Sequence, residues 1–142
     1  MSISADGFGA RVLIVDDQDS NVRLLQYALR RAGYTAVETT TDPLEVGPMH
    51  RRNPYQLILL DLQMPRMNGF QVMEELSTFK EATVAVLVLS ADPAQMVRAL
   101  EAGASSFLSK PFVLATVLER VGMMLKQCAA PPPPPAAMAG RA

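Results

Sequence analysis

Apolar and polar positions alternate along the chain in two periods. Short apolar runs stand at "RVLIV" (11–15), "YQLILL" (55–60) and "TVAVLVL" (83–89). Each is too short for a helix and apolar on successive residues, which predicts strands covered on both faces, as in a parallel sheet. "YTAVET" (34–39) predicts a second, more polar strand, and "SSFL" (105–108) a short fifth one. Between the strands the period changes. Val22, Leu25, Ala28, Leu29 and Ala32 recur at helical spacing, and the run stops at Arg30, Arg31 and Gly33. Val72, Met73, Leu76 and Phe79 predict a helix over 69–79, and Met96, Val97 and Leu100 one that Asp92-Pro93 opens and Gly103 stops. Pro111 opens a last helix with Leu114, Val117, Leu118, Val121, Met124 and Leu125 on one stripe. The segment after Asp42-Pro43 begins with an N-cap and a first-turn proline. It then meets Gly47-Pro48, and a mid-helix proline costs about 3 kcal/mol, so a short helix is predicted, kinked or restarted at Pro48.

Five strands alternating with helices predict an α/β fold with a doubly wound, five-stranded parallel sheet. Right-handed crossovers join such units. The packed domain is expected over residues 10–128. Residues 1–9 are expected to be a flexible N-terminus, and residues 129–142, with "PPPPP", a disordered proline-rich tail or linker.

Composition adds bounds. Among 142 residues, 13 are basic and 14 acidic, a balance with no field for nucleic acid or anionic lipid. The one cysteine, Cys128, excludes an internal disulfide framework and fits a reducing cytoplasm. The first residues lack the basic and apolar regions of a signal peptide. No apolar stretch is long enough to span a bilayer.

The candidate chemistry lies at the carboxyl ends of the strands, where open α/β sheets bind ligands. Asp16 and Asp17 follow the first strand, Asp61 closes the third, Ser90 the fourth, and Lys110 follows the fifth. In the flavodoxin-like strand order 2-1-3-4-5 the first and third strands are neighbours, which brings the three carboxylates together. Clustered carboxylates repel one another. A hard divalent cation relieves this, and oxygen-only donors favour Mg²⁺.

"VDD" after the first strand, "DLQMPRMNG" after the third, "SA" after the fourth and "KP" after the fifth resemble the CheY-like receiver domain of response regulators in bacterial two-component systems. The resemblance covers residues 10–128. It implies that Asp61 is the phosphoacceptor, taking a phosphoryl group from a histidine kinase or histidine phosphotransfer protein. It implies that Asp16, Asp17, Asp61 and the backbone carbonyl of Gln63 hold Mg²⁺, that Lys110 and Ser90 contact the phosphoryl group, and that Ser90 and Phe107 form the switch. The Lys110-Pro111 bond is expected to be cis. The resemblance also implies a cytoplasmic signalling module, monomeric or weakly dimeric, rather than a turnover enzyme. Its output surface would be the fourth helix, fifth strand and fifth helix, presenting Met96, Arg98, Glu101, Ser106 and Glu119 to a protein partner. Gln63 and Asp92 flank the site and are expected to tune hydrolysis.

Other readings exist for these residues. Asp16-Asp17 alone would cap the first helix. "DQDSN" (17–21) also resembles the D-x-D opening of haloacid-dehalogenase-like phosphatases, a reading that leaves "DLQMPRMNG" and "KP" without a role. As an EF-hand loop the same run lacks the glycine at position six and the glutamate at position twelve. The chain also fits the receiver part of a longer regulator, its proline-rich segment linking to an output domain. His50, beside Arg51 and Arg52, is expected in a solvated loop, Cys128 to be inert, and the methionines to lie mainly at core positions.

Overall fold

A computed structural model describes residues 8–64, 68–79 and 84–129, the last three of these by backbone alone. The expected flexible start lies largely, and the proline-rich tail almost wholly, outside the described residues, as does the side chain of Cys128. Phe8 packs edge-on against Tyr34, with ring centroids 4.9 Å apart, and its carbonyl accepts from Thr35 N.

The elements in chain order are β1 (Arg11–Val15), α1 (Asp19–Arg31), β2 (Ala36–Thr40), α2 (Val46–Arg52), β3 (Leu57–Asp61), α3 (Gly69–Leu76), β4 (Ala85–Ser90), α4 (Met96–Glu101), β5 (Ser106–Ser109) and α5 (Leu114–Ala129). The strands pair in parallel in the order β2-β1-β3-β4-β5, the flavodoxin-like arrangement expected from the alternation.

Alternate residues of each central strand face opposite helical layers, which explains the continuous apolar runs. Val12, Ile14, Leu57, Leu59, Leu87 and Leu89 pack with Val22, Leu25 and Leu29 of α1 and Val117, Val121 and Leu125 of α5. Leu13, Val15, Ile58, Leu60, Val86 and Val88 pack with Val46 of α2, Val72, Met73 and Leu76 of α3, and Ala99 of α4. Register places Val15 opposite both Thr40 and Leu60, and Asp61 opposite Leu89, so the polar residues that follow these strands meet at one sheet edge.

Several boundaries differ from the sequence pattern. Asp42 caps a single 3-10 turn, Pro43–Glu45, by accepting from Leu44 N, and α2 then begins at Val46. Pro48 therefore falls in the first turn of a seven-residue helix, where its missing N–H forfeits no intrahelical bond. The helix is short, as expected, but starts two residues before Pro48. α3 stops at Leu76, with Phe79 just past it in a turn. Pro111 does not open the last helix: α5 starts at Leu114, and its first turn closes with Val117 N donating to Val113 O.

His50 is the clearest correction. It is no solvated loop residue but lies in α2 with 0% exposure. Its Nδ1 accepts from Tyr55 N, and its ring packs against Phe79 and Tyr55. The methionines are divided: Met64, Met73 and Met124 are buried, whereas Met96 and Met123 are exposed.

Candidate functional site

Four strand ends build the site. Asp16 directly follows β1 and is buried, held by two donors from the loop and helix after it: Gln18 N on Oδ1 at 3.0 Å and Asn21 Nδ2 on Oδ2 at 3.2 Å. Asp61, the last residue of β3, is 6% exposed, and its Oδ1 accepts from Gln63 N at 3.3 Å. Asp17 stands exposed at the rim. Oxygens of Asp16, Asp17 and Asp61 lie within 4.8 Å of one another, so the expected carboxylate cluster exists.

The cation comes from the far side of the sheet. Lys110 follows β5, and its Nζ lies 3.5 Å from Asp16 Oδ2 and 3.5 Å from Asp61 Oδ2. Its backbone N donates to Ser90 O at 2.7 Å, and the Lys110-Pro111 peptide is cis. One ammonium does not offset the cluster: burial pushes the Asp61 carboxyl above its ordinary range, and the neighbouring Asp16 charge pushes it further. Ionised Asp61 is thus a costly group in this arrangement. The donor set is oxygen-only and hard, which fits Mg²⁺.

Ser90 closes β4 with 0% exposure. Its hydroxyl donates to Gln95 Oε1 at 2.7 Å and accepts from Asp92 N at 3.1 Å. Asp92 turns its carboxylate to Ala94 N and caps a 3-10 turn, Pro93–Gln95, that leads into α4. Gln63 is exposed at the rim. Phe107 lies in β5 opposite Val88, half-buried against the core layer that contains Ala99. Arg120 of α5 clasps the same strand, donating to Ser106 Oγ and to Phe107 O.

Some contributors are invisible in the motif. Gln18 and Asn21 fix Asp16, and Gln95 holds Ser90. Gly69 is required by contact. A Cβ there would stand 2.6 Å from Leu62 Cδ2, 2.8 Å from Leu62 Cα and 2.9 Å from the Asp61 carbonyl oxygen. Its N donates to Leu62 O, and Asn68 with Gln71 forms a capping box, so α3 is seated directly on the strand end that carries Asp61. The asparagine-glycine pair was the available signal. The "DQDSN" run is also accounted for: Asp19 begins α1 and pairs with Arg23 at 2.7 Å, in solvent rather than in the cluster.

Residues 12–122 match the family model described as the response regulator receiver domain. The chain belongs to that family. Among the relatives of this receiver domain, Regulatory protein VanRB of Enterococcus faecalis is 30% identical over 120 residues, which is 84% of this chain and 54% of VanRB. Transcriptional regulatory protein SrrA of Staphylococcus aureus is 34% identical over 116 residues, 82% of this chain and 48% of SrrA. The receiver chain thus spans about half the length of these curated relatives. Among solved structures, the signal receiver domain of a putative Luxo repressor protein from Vibrio parahaemolyticus superposes with a TM-score of 0.77 at 26% identity, covering 84% of this chain and 92% of that one. The Vibrio cholerae chemotaxis protein CheY4 gives a TM-score of 0.74 at 28% identity, covering 82% and 98%. Receiver domains are signalling modules, not conventional enzymes, and Asp19, the second acid of the D-x-D reading, lies outside the carboxylate cluster. No helix among the described residues is long and apolar enough to cross a membrane.

Proposed function

We propose that this receiver accepts a phosphoryl group on Asp61 from a histidine kinase or a histidine phosphotransfer protein, and that the modification alters the surface of α4, β5 and α5 for a protein partner. The observation that carries the reading is the buried Asp61 carboxylate beside Asp16 and Asp17, with Lys110 Nζ 3.5 Å away.

The chemistry follows from the residue types. An Asp61 oxygen attacks phosphorus, the bond from phosphorus to the donor imidazole breaks, and an acyl phosphate forms. Such a transfer depends on positioning and charge neutralisation. Asp16, Asp17, Asp61 and the Gln63 main-chain carbonyl are the groups to hold Mg²⁺, which when bound supplies positive charge to the phosphoryl oxygens. The Lys110 ammonium supplies charge from the other side, and the Ser90 hydroxyl donates to a phosphoryl oxygen. As Ser90 moves, Phe107 turns inward, held by packing alone because it lacks a hydroxyl. Gln63 and Asp92, at the rim, tune hydrolysis.

Amide NMR with Mg²⁺ and beryllofluoride, a phosphoryl mimic, tests site and switch together. Shifts are expected at Asp61 and across residues 94–120, blunted in Ser90→Ala. Shifts confined to the Asp61 pocket would contradict the switch.

A second reading keeps the same site within a longer regulator. The coverage of only about half of VanRB and SrrA favours it, and it assigns output to a segment joined through the proline-rich residues.

A further inference from the structure

The Ser90 hydroxyl is already committed. Its single proton goes to Gln95 Oε1 at 2.7 Å, and one of its two lone pairs accepts from Asp92 N at 3.1 Å. A hydroxyl donates one hydrogen bond at a time. Donation to a phosphoryl oxygen on Asp61 therefore requires that the bond to Gln95 be broken. The two acceptors compete for one proton.

Gln95 sits where such a competition is transmitted. It ends the 3-10 turn Pro93–Gln95 and is the N-cap of α4, with its own N donating to Asp92 O at 3.1 Å. α4 is anchored thinly. It has six residues, of which only Ala99 is buried, while Met96, Val97 and Leu100 are exposed apolar side chains. Besides Ala99, α4 has the stacking of Arg98 over the Phe70 ring at 4.0 Å. The Ser90–Gln95 bond is a side-chain tie from the rigid end of β4 to the start of this loosely seated helix.

We infer that Gln95 is a latch residue: by accepting the Ser90 proton it opposes activation, and its release couples phosphoryl binding to movement of α4. This rests on the phosphoacceptor reading of Asp61. Gln95 touches no reacting atom, so it is a positioning residue acting through Ser90.

Calorimetric titration of Mg²⁺-saturated protein with beryllofluoride tests the latch in a double-mutant cycle. Gln95→Met keeps the length and apolar stem but removes the acceptor. It is expected to bind roughly 3- to 10-fold tighter than wild type, the worth of one neutral hydrogen bond. Gln95→Glu keeps an acceptor and shows no gain. In a Ser90→Ala background, Gln95→Met changes nothing, because the proton it frees is gone. Amide NMR of ligand-free Gln95→Met supplies a signature that mere loss of packing lacks: residues 96–101 shift along the line that leads to the wild-type beryllofluoride state. Equal affinities of wild type and Gln95→Met, or a gain that persists without Ser90, overturn the latch while leaving Asp61 in its role. If wild type binds no better than Asp61→Asn, the phosphoacceptor reading fails and the latch falls with it.

Discussion

Asp61, the proposed phosphoacceptor, sits in the carboxylate cluster at a cost to the fold. An ionised carboxylate beside Asp16, mostly removed from water, is disfavoured even with Lys110 at 3.5 Å. Asp61→Asn removes that charge and keeps the shape. In the absence of divalent metal it is expected to raise stability by about 1 kcal/mol, read as a higher denaturant midpoint with an unchanged m-value. Mg²⁺ should stabilise wild type, and that gain should shrink in Asp61→Asn. A lower midpoint for the metal-free variant would show that the cluster is not strained. His50 carries a different pH dependence. Burial lowers its pKa below the ordinary 6.5, so the unfolded chain binds the proton more readily than the native one. This contribution to stability is present above about pH 6.5 and is lost as pH falls from there toward the folded-state value. His50→Asn keeps an acceptor near the Nδ1 position for Tyr55 N but does not titrate. It should lower stability at neutral pH by leaving a void, and flatten the decline as pH falls below about 6.5 in denaturation curves. An unchanged slope would assign the decline to other groups.

At the scale of elements, the packing of α3 on β3 decides whether the site is formed. Gly69 has no room for a side chain: besides Leu62 Cδ2, a Cβ there would meet two backbone atoms, Leu62 Cα at 2.8 Å and the Asp61 carbonyl oxygen at 2.9 Å, which cannot swing aside. Gly69→Ala is expected to cost about 1–3 kcal/mol and to slow phosphoryl uptake by displacing the strand end. Gly9, whose Cβ would meet nothing within 4 Å, is the control: Gly9→Ala should stay within about 0.5 kcal/mol of wild type. Matching denaturation midpoints for the two variants would refute the close approach. The elements also show what local pattern could reveal. β1 is legible because the four apolar residues Val12 to Val15 follow Arg11 and run directly into an acidic pair. α2 was legible as short, since Pro48 cannot sit deep in a helix, but its start at Val46 depends on the Asp42 cap and the 3-10 turn. α5 begins three residues after Pro111, a boundary that local proline preference misplaces.

For the whole molecule, topology was readable because continuous apolar strands require cover on both faces, and alternation with helices supplies it. The site was readable for the same reason: parallel strands point their carboxyl ends to one edge, so Asp16, Asp61, Ser90 and Lys110 converge although nearly a hundred residues separate the first from the last. Contacts between elements left no such trace. The burial of His50 depends on Tyr55 before β3 and Phe79 after α3, and its neighbours Arg51 and Arg52 mislead a local reading. The bond from Ser90 to Gln95 depends on how the loop after β4 folds back.

The proposed function depends on Asp61, and intact-mass spectrometry after incubation with acetyl phosphate tests it most directly. Wild type with Mg²⁺ is expected to gain a single phosphoryl group, which chelation of the metal and Asp61→Asn each abolish. Equal phosphoryl uptake by Asp61→Asn would contradict the account.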